Sequence, residues 1–412
     1  MERTLASYLP SPHGRLLMGG EPLVLRTSHD SRALQDAVLL DDKLGMAVVI
    51  HDAAQASAHA LLTAAGRERS AVTGSARRQL AEHTFAQLGF GLLDLGAIGP
   101  DGGTAVITGS HHGAALHHGA ALHPDDHARP QSYFDAGYAA AAVAFLHGRP
   151  AEAFAGAIEA CMATGAPAGR VVVAPRAGRS AFYSPGIGAH SQDTPPPPYA
   201  ATSVDERAIL AALAALDFAG DARGVIRRLG VTWAHHLGNA GNRIAFEFIR
   251  RMADAGMREG AEALVVEAGL RGAFHTFGAI MTSGEWSALI KPQCKEPGDL
   301  VHGMVATINA FGWGTWRVFE LSPERIVVRI YDDHESCSYR GMYGKAERPV
   351  SHLAAAAVAG IMNLIYVARI DEFPALDLAC YARTFEGPER FTARHTRSQA
   401  VDGGYTEIVA SR

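Results

Sequence analysis

Phe85-Ala86-Gln87-Leu88-Gly89-Phe90-Gly91, leading into Leu92-Leu93-Asp94-Leu95, and Ile308-Asn309-Ala310-Phe311-Gly312-Trp313-Gly314, leading into Trp316-Arg317-Val318-Phe319, are two versions of one pattern. Each reads as a helix stopped by a glycine, then an aromatic residue, a second glycine and a strand. A short turn follows, Gly99-Pro100-Asp101-Gly102 in one case and Ser322-Pro323-Glu324-Arg325 in the other. Beyond it a second strand runs through Val106 and Ile107, or through Val327 and Val328. Both are expected to be β-hairpins.

The likeness extends outward. Pro130-Gln131-Ser132 and Pro349-Val350-Ser351 each open an Ala-rich helix, whose small side chains suit close packing. Arg170-Val171-Val172-Val173-Ala174 and Thr406-Glu407-Ile408-Val409-Ala410 read as closing strands. Ile244, Phe248 and Met252 recur at helical spacing, and Ser283-Gly284-Glu285-Trp286 has the form of a cap and first turn. Gly238-Asn239 and Gly241-Asn242 read as turn and cap chemistry. Between the halves stands Asp193-Thr194-Pro195-Pro196-Pro197-Pro198-Tyr199, which can continue neither a helix nor a central strand. The expected organisation is a first lobe over 1–192, a Pro-rich linker over 193–202 and a second lobe over 203–412. The expected class is α/β (α+β), each lobe a helical layer on a twisted antiparallel sheet.

Bulk composition agrees with a globular protein of two domains: 412 residues, 48% hydrophobic and 19% charged. A net charge of -5 gives no basic surface for nucleic acid, so no nucleic-acid partner is expected. No apolar run is long enough for a membrane span, and Met1-Glu2-Arg3-Thr4-Leu5 has no secretory character. The four cysteines, Cys161, Cys294, Cys337 and Cys380, are scattered, which speaks against a disulfide framework or a Cys-rich zinc site. A reducing, bacterial cytoplasm fits, and the Ala and Gly content fits a GC-rich genome.

Glu159-Ala160-Cys161-Met162-Ala163-Thr164-Gly165, followed by the Val171–Val173 strand, resembles the closing signature of the 4-vinyl reductase (hydrocarbon-binding) domain. The resemblance covers roughly 75–175 and, more weakly, 301–412. It implies the α/β fold of small subunits of the TRAPP tethering complex, and binding of small, often hydrophobic molecules. The second cysteine that the family places near Gly169 is missing, so paired-cysteine metal binding is not carried over. Cys161 beside an apolar strand reads as a buried small hydrophobe.

Three polar groups are candidates for chemistry. Asp332-Asp333-His334-Glu335-Ser336-Cys337-Ser338-Tyr339-Arg340 follows the second hairpin as a loop, and places carboxylates, imidazole, thiol and phenol together. His334, Glu335, Cys337 and Tyr339 are therefore the candidate catalytic residues. His334 stands where His112 stands in the first half. The tandem repeat His111-His112-Gly113-Ala114-Ala115-Leu116-His117-His118 offers His111, His112, His117 and His118 as metal ligands, although a mobile loop is the better account of so slippery an Ala/Gly repeat. His235, His236, His275, Trp286 and His302 form a third group; His275, Trp286, His302 and Trp313 are the expected pocket lining. Motifs for dinucleotides, phosphate loops, serine hydrolases and zincins are missing, and the sequence leaves any cofactor unknown. The leading expectation is a small-molecule binder with an apolar pocket. The alternatives are a biosynthetic or degradative enzyme using the 332–340 segment, and an assembly protein of a biosynthetic complex. A homodimer or another protein partner suits all three.

Overall fold

The computed structural model describes residues 9–10, 15–40, 42–70, 73–113, 132–176, 196–197 and 202–412. Most of the proline linker lies outside the described residues; Pro197 is inside, and its carbonyl accepts a 2.9 Å bond from Arg317 Nε.

Both hairpins form. In the first lobe the strands run in the order Leu92–Asp94, Gly102–Thr108, Gly169–Pro175, Phe154–Ala160, with Ile98–Gly99 also paired to Gly102–Thr108. In the second the order is Thr315–Ser322, Arg325–Tyr331, Thr406–Ser411, Thr392–Arg397. The two orders are the same, and all neighbouring pairs are antiparallel. Gly169–Pro175 alternates buried and exposed positions, as a strand with one face on a core must.

The Gly-aromatic-Gly bends explain how helix passes into strand. Gly91 has φ +112°, and a Cβ there would lie 2.5 Å from the Thr108 carbonyl oxygen. Gly314, its counterpart, has φ +101° and would meet the Asp332 and Tyr331 carbonyls at 2.7 Å. Only glycine fits so tight a left-handed bend.

A helical layer covers each sheet. Helix Tyr133–Leu146 packs on Met46–Glu68 in one lobe, and His352–Met362 packs on Arg258–Thr282 in the other. Contact is close because the facing residues are small: a Cβ on Gly360 would sit 2.5 Å from the Ala273 Cβ. Ser283 caps the helix that follows it, accepting from Trp286 N at 3.0 Å.

A third sheet, absent from the sequence reading, joins the halves. Leu16–Met18 and Glu21–Thr27 make a hairpin, as do Ile226–Arg228 and Val231–Leu237. The two inner strands, Glu21–Thr27 and Val231–Leu237, pair antiparallel along their length. Helices then cross over. Ser28–Val38 packs on Arg258–Thr282 of the second half, while Gly238–Asp254 packs on Met46–Glu68 of the first. Ala240, Ile244, Ala245, Phe248 and Ile249 thus belong to the first lobe's core. Gly238-Asn239 and Gly241-Asn242, expected in a turn, lie instead inside helix Gly238–Asp254 and are buried. Tertiary burial outweighs the weak helix propensity of Gly and Asn there.

Candidate functional site

The 332–340 segment is a buried helix start rather than a solvated loop. Asp332 adopts φ +51°, turning the chain out of strand Arg325–Tyr331, and helix His334–Tyr343 begins at once. Asp333 caps it by accepting from Glu335 N at 3.2 Å. The other Asp333 oxygen accepts from Ser336 Oγ and Thr406 Oγ1, each at 2.7 Å, and from Ser351 Oγ. The Glu335 carboxylate reaches the start of helix His352–Met362, where Leu353 N and Ala354 N donate to it at 3.2 and 2.9 Å. Burial, with the nearby Asp333 charge, pushes the Glu335 carboxyl up to about 8. Cys337 is fully buried, and burial pushes its thiol far up. Tyr339 lies apart, edge-on to Phe246 at 5.1 Å in a groove that also holds Tyr343, Lys345 and Arg348.

His334 is different. It is 5% exposed, and neither ring nitrogen makes a well-formed hydrogen bond among the described residues. Its ring stacks on Trp313, with centroids 6.0 Å apart and planes at 27°. Burial first, then the positive charge of Arg26, lowers its imidazole to about 3, so it is neutral at physiological pH.

His334 and Trp313 line a pocket with Phe277, Leu34, Leu353 and small residues including Ala273, Ala354 and Ala357; Arg26 and Asp30 complete it. Arg26, Asp30 and Leu34 come from the first half and the rest from the second. Arg26 is 5% exposed, and among the described residues its guanidinium makes one long side-chain bond, 3.4 Å to Asn242 Oδ1. Asn242 in turn donates to the His334 carbonyl at 3.0 Å and to Ser338 Oγ at 2.9 Å. Asp30 is occupied as a capping-box partner of Thr27 and accepts from Thr276 Oγ1 at 3.1 Å. The cavity encloses about 30 Å³, room for a water or two and less than the roughly 150 Å³ that admits benzene. A guest larger than a water or two requires side chains of the wall to move.

The first lobe holds a related cluster. His111, His112 and His236 are buried with ring centroids 5.2 Å apart pairwise, against Phe90 and Phe134. His112 Nδ1 is 2.8 Å from Asp135, which also accepts from Ser110 Oγ at 2.6 Å. Ser31 Oγ lies 2.9 Å from His236 Nε2 and 3.3 Å from His111 Nε2. Burial drives His111 and His236 well down, so both are neutral. His117 and His118 lie outside the described residues.

Of the expected pocket lining, Trp313 meets His334 in the pocket. His275 stacks instead on His29, centroids 4.9 Å apart. Trp286 is buried in the second core, and His302 borders a separate depression with Asp299 and Lys295. As for metals, Asp333, His334 and Glu335 are the one group among the described residues whose potential ligand atoms lie within 4.8 Å of one another. Both carboxylates there already hold hydroxyl or backbone donors. Arg26 escaped the sequence reading because nothing along the chain links it to a site some 300 residues away.

Among known proteins, no family model matches the chain, and neither does any curated protein. One solved structure that resembles it is the phenol-responsive sensory domain of the transcription activator PoxR with phenol. The identity is 13%, the TM-score 0.34, and the alignment covers 50% of this chain and 89% of that one. No helix of the described residues is long and apolar enough to cross a membrane.

Proposed function

We propose that the chain binds a small, hydrophobic or aromatic molecule in the second-lobe pocket, and that its lobes are divergent copies of a 4-vinyl-reductase-like module. The observation that carries the binding reading is His334. A buried imidazole without a well-formed hydrogen bond costs on the order of 1–3 kcal/mol, and it persists here in a cavity whose walls are mainly apolar, with Arg26 and Asp30 at one side. A ligand group at that wall supplies the missing bond, while Phe277, Trp313, Leu34 and Leu353 take up its apolar body. The shared strand order of the two lobe sheets supports the module reading. Native mass spectrometry against the denatured mass tests the binding reading directly. A retained organic mass that is lost in Leu353→Trp, which fills the cavity, is the expected result. Retention of that mass in Leu353→Trp places the ligand elsewhere and overturns the assignment of this pocket.

A further inference from the structure

The two lobes differ at one matched position. Arg26 is the sixth residue of Glu21–Thr27, and His236 is the sixth of Val231–Leu237. Each inner strand sends this side chain toward one of the two buried clusters. In the first lobe the group is an imidazole, bonded to Ser31 and held neutral by burial. In the second it is a guanidinium, which stays charged at any physiological pH.

That charge is faced by two carboxyl groups, neither of which is in direct contact with it. Asp30 and Glu335 lie near enough to influence Arg26, yet neither pairs with it directly among the described residues. Asp30 is committed to Thr27 and Thr276. Glu335 is committed to two backbone N–H groups. A guanidinium carries five donors in a planar fork, and among the described residues it makes one long side-chain bond, to Asn242. A buried cation in this state gains most from a planar anion that takes the fork.

We infer that the second-lobe pocket recognises a small monocarboxylic acid, its carboxylate held by Arg26 and His334 and its apolar body by Phe277, Trp313, Leu34 and Leu353. This rests on the pocket reading above and names the chemistry of its ligand. The His334 ring offers one N–H to the second carboxylate oxygen, and Asn242 fixes both partners by bonding Arg26 and the His334 backbone. The first lobe, with His236 in place of the guanidinium, lacks the counter-charge for the same ligand.

Benzoate and benzamide, nearly identical in shape and different in charge, separate the possibilities. Their binding to the full chain is measured by calorimetry and by Trp fluorescence at pH 7 and low salt. Benzoate is expected to bind at least about tenfold more tightly than benzamide. Arg26→Met should remove that preference, bringing the affinities for the two probes within about twofold of each other. Equal or tighter binding of benzamide to the native protein overturns the carboxylate assignment and leaves the pocket standing. So does a benzoate preference that survives Arg26→Met. If neither probe binds, even to Leu353→Ala with its enlarged cavity, the pocket reading itself fails. Should Arg26→Met not fold by circular dichroism, the native comparison decides, with Arg26→Lys retaining part of the preference.

Discussion

Leu25 and His235 face each other across the central antiparallel ladder, and each is the fifth residue of its seven-residue strand. Leu23 pairs with Leu237 and Thr27 with Trp233, so third meets seventh on both sides. This is the self-complementary register of a two-fold interface, made here within one chain. The exchange is reciprocal beyond the ladder. Leu25 N donates to the Phe311 carbonyl at 2.9 Å, and His235 N donates to the Leu88 carbonyl at 2.8 Å. Each central strand is thereby tied to the Gly-aromatic-Gly bend of one lobe.

Segments 1–192 and 203–412, produced as separate chains, are expected to depend on each other. Each alone exposes the inner strand edge and the apolar face of its crossing helix, a template for aggregation or self-pairing. Co-expressed, they should purify as a one-to-one complex. A monomeric, cooperatively folding 203–412 would contradict this.

Glu21 gives the stability a pH dependence of known sign. Burial raises its carboxyl from 4.5 to about 8, against weaker stabilisation of the charged form by Asn239. The native state therefore holds a proton that the unfolded chain has released between those values, and stability falls as pH climbs through the window. Glu21→Gln removes this contribution. Its stability relative to the native chain should rise by about 1.4 kcal/mol per pH unit at most, from pH 5 towards pH 8, in urea titrations. A pH-independent difference would sink the assignment.

His334→Leu should raise the stability of the ligand-free protein by about 1 kcal/mol, because it replaces an unsatisfied buried imidazole with an apolar side chain of similar bulk. The same variant should bind benzoate several-fold less tightly. Destabilisation without any binding change would mean that the ring is a packing element only.

Asp333 has the opposite character. It gathers Ser336, Ser351 and Thr406 and caps a helix, so Asp333→Ala strands several buried hydroxyls. A loss of about 3 kcal/mol or more is expected from chemical denaturation. A loss below about 1 kcal/mol would show that water replaces the carboxylate without penalty.

The hairpins, the Ala-rich helices and the closing strands were legible because their signals are local. Gly89-Phe90-Gly91 and Gly312-Trp313-Gly314 announce a bend that only glycine can make, and Ser283 announces a cap within four residues. Helix Gly238–Asp254 was legible through Ile244, Phe248 and Met252, but its first turns were hidden by Gly and Asn, which local rules assign to turns. The 332–340 cluster was recognised as chemically rich and read as a loop, where the structure has a buried helix start. Its polarity serves buried caps, and burial depends on what packs over it.

Sequence by itself determined the lobe hairpins, the Ala-rich helices and the near-repetition of the two halves, since periodicity, glycine bends and caps act over a few residues. Only the tertiary structure decided how the halves exchange parts. Pairing Glu21–Thr27 with Val231–Leu237 carries Arg26 to His334 and His236 to His112. Side chains so far apart in the chain meet because an antiparallel two-fold ladder leaves no free edge between the lobes, and no local signal records that choice.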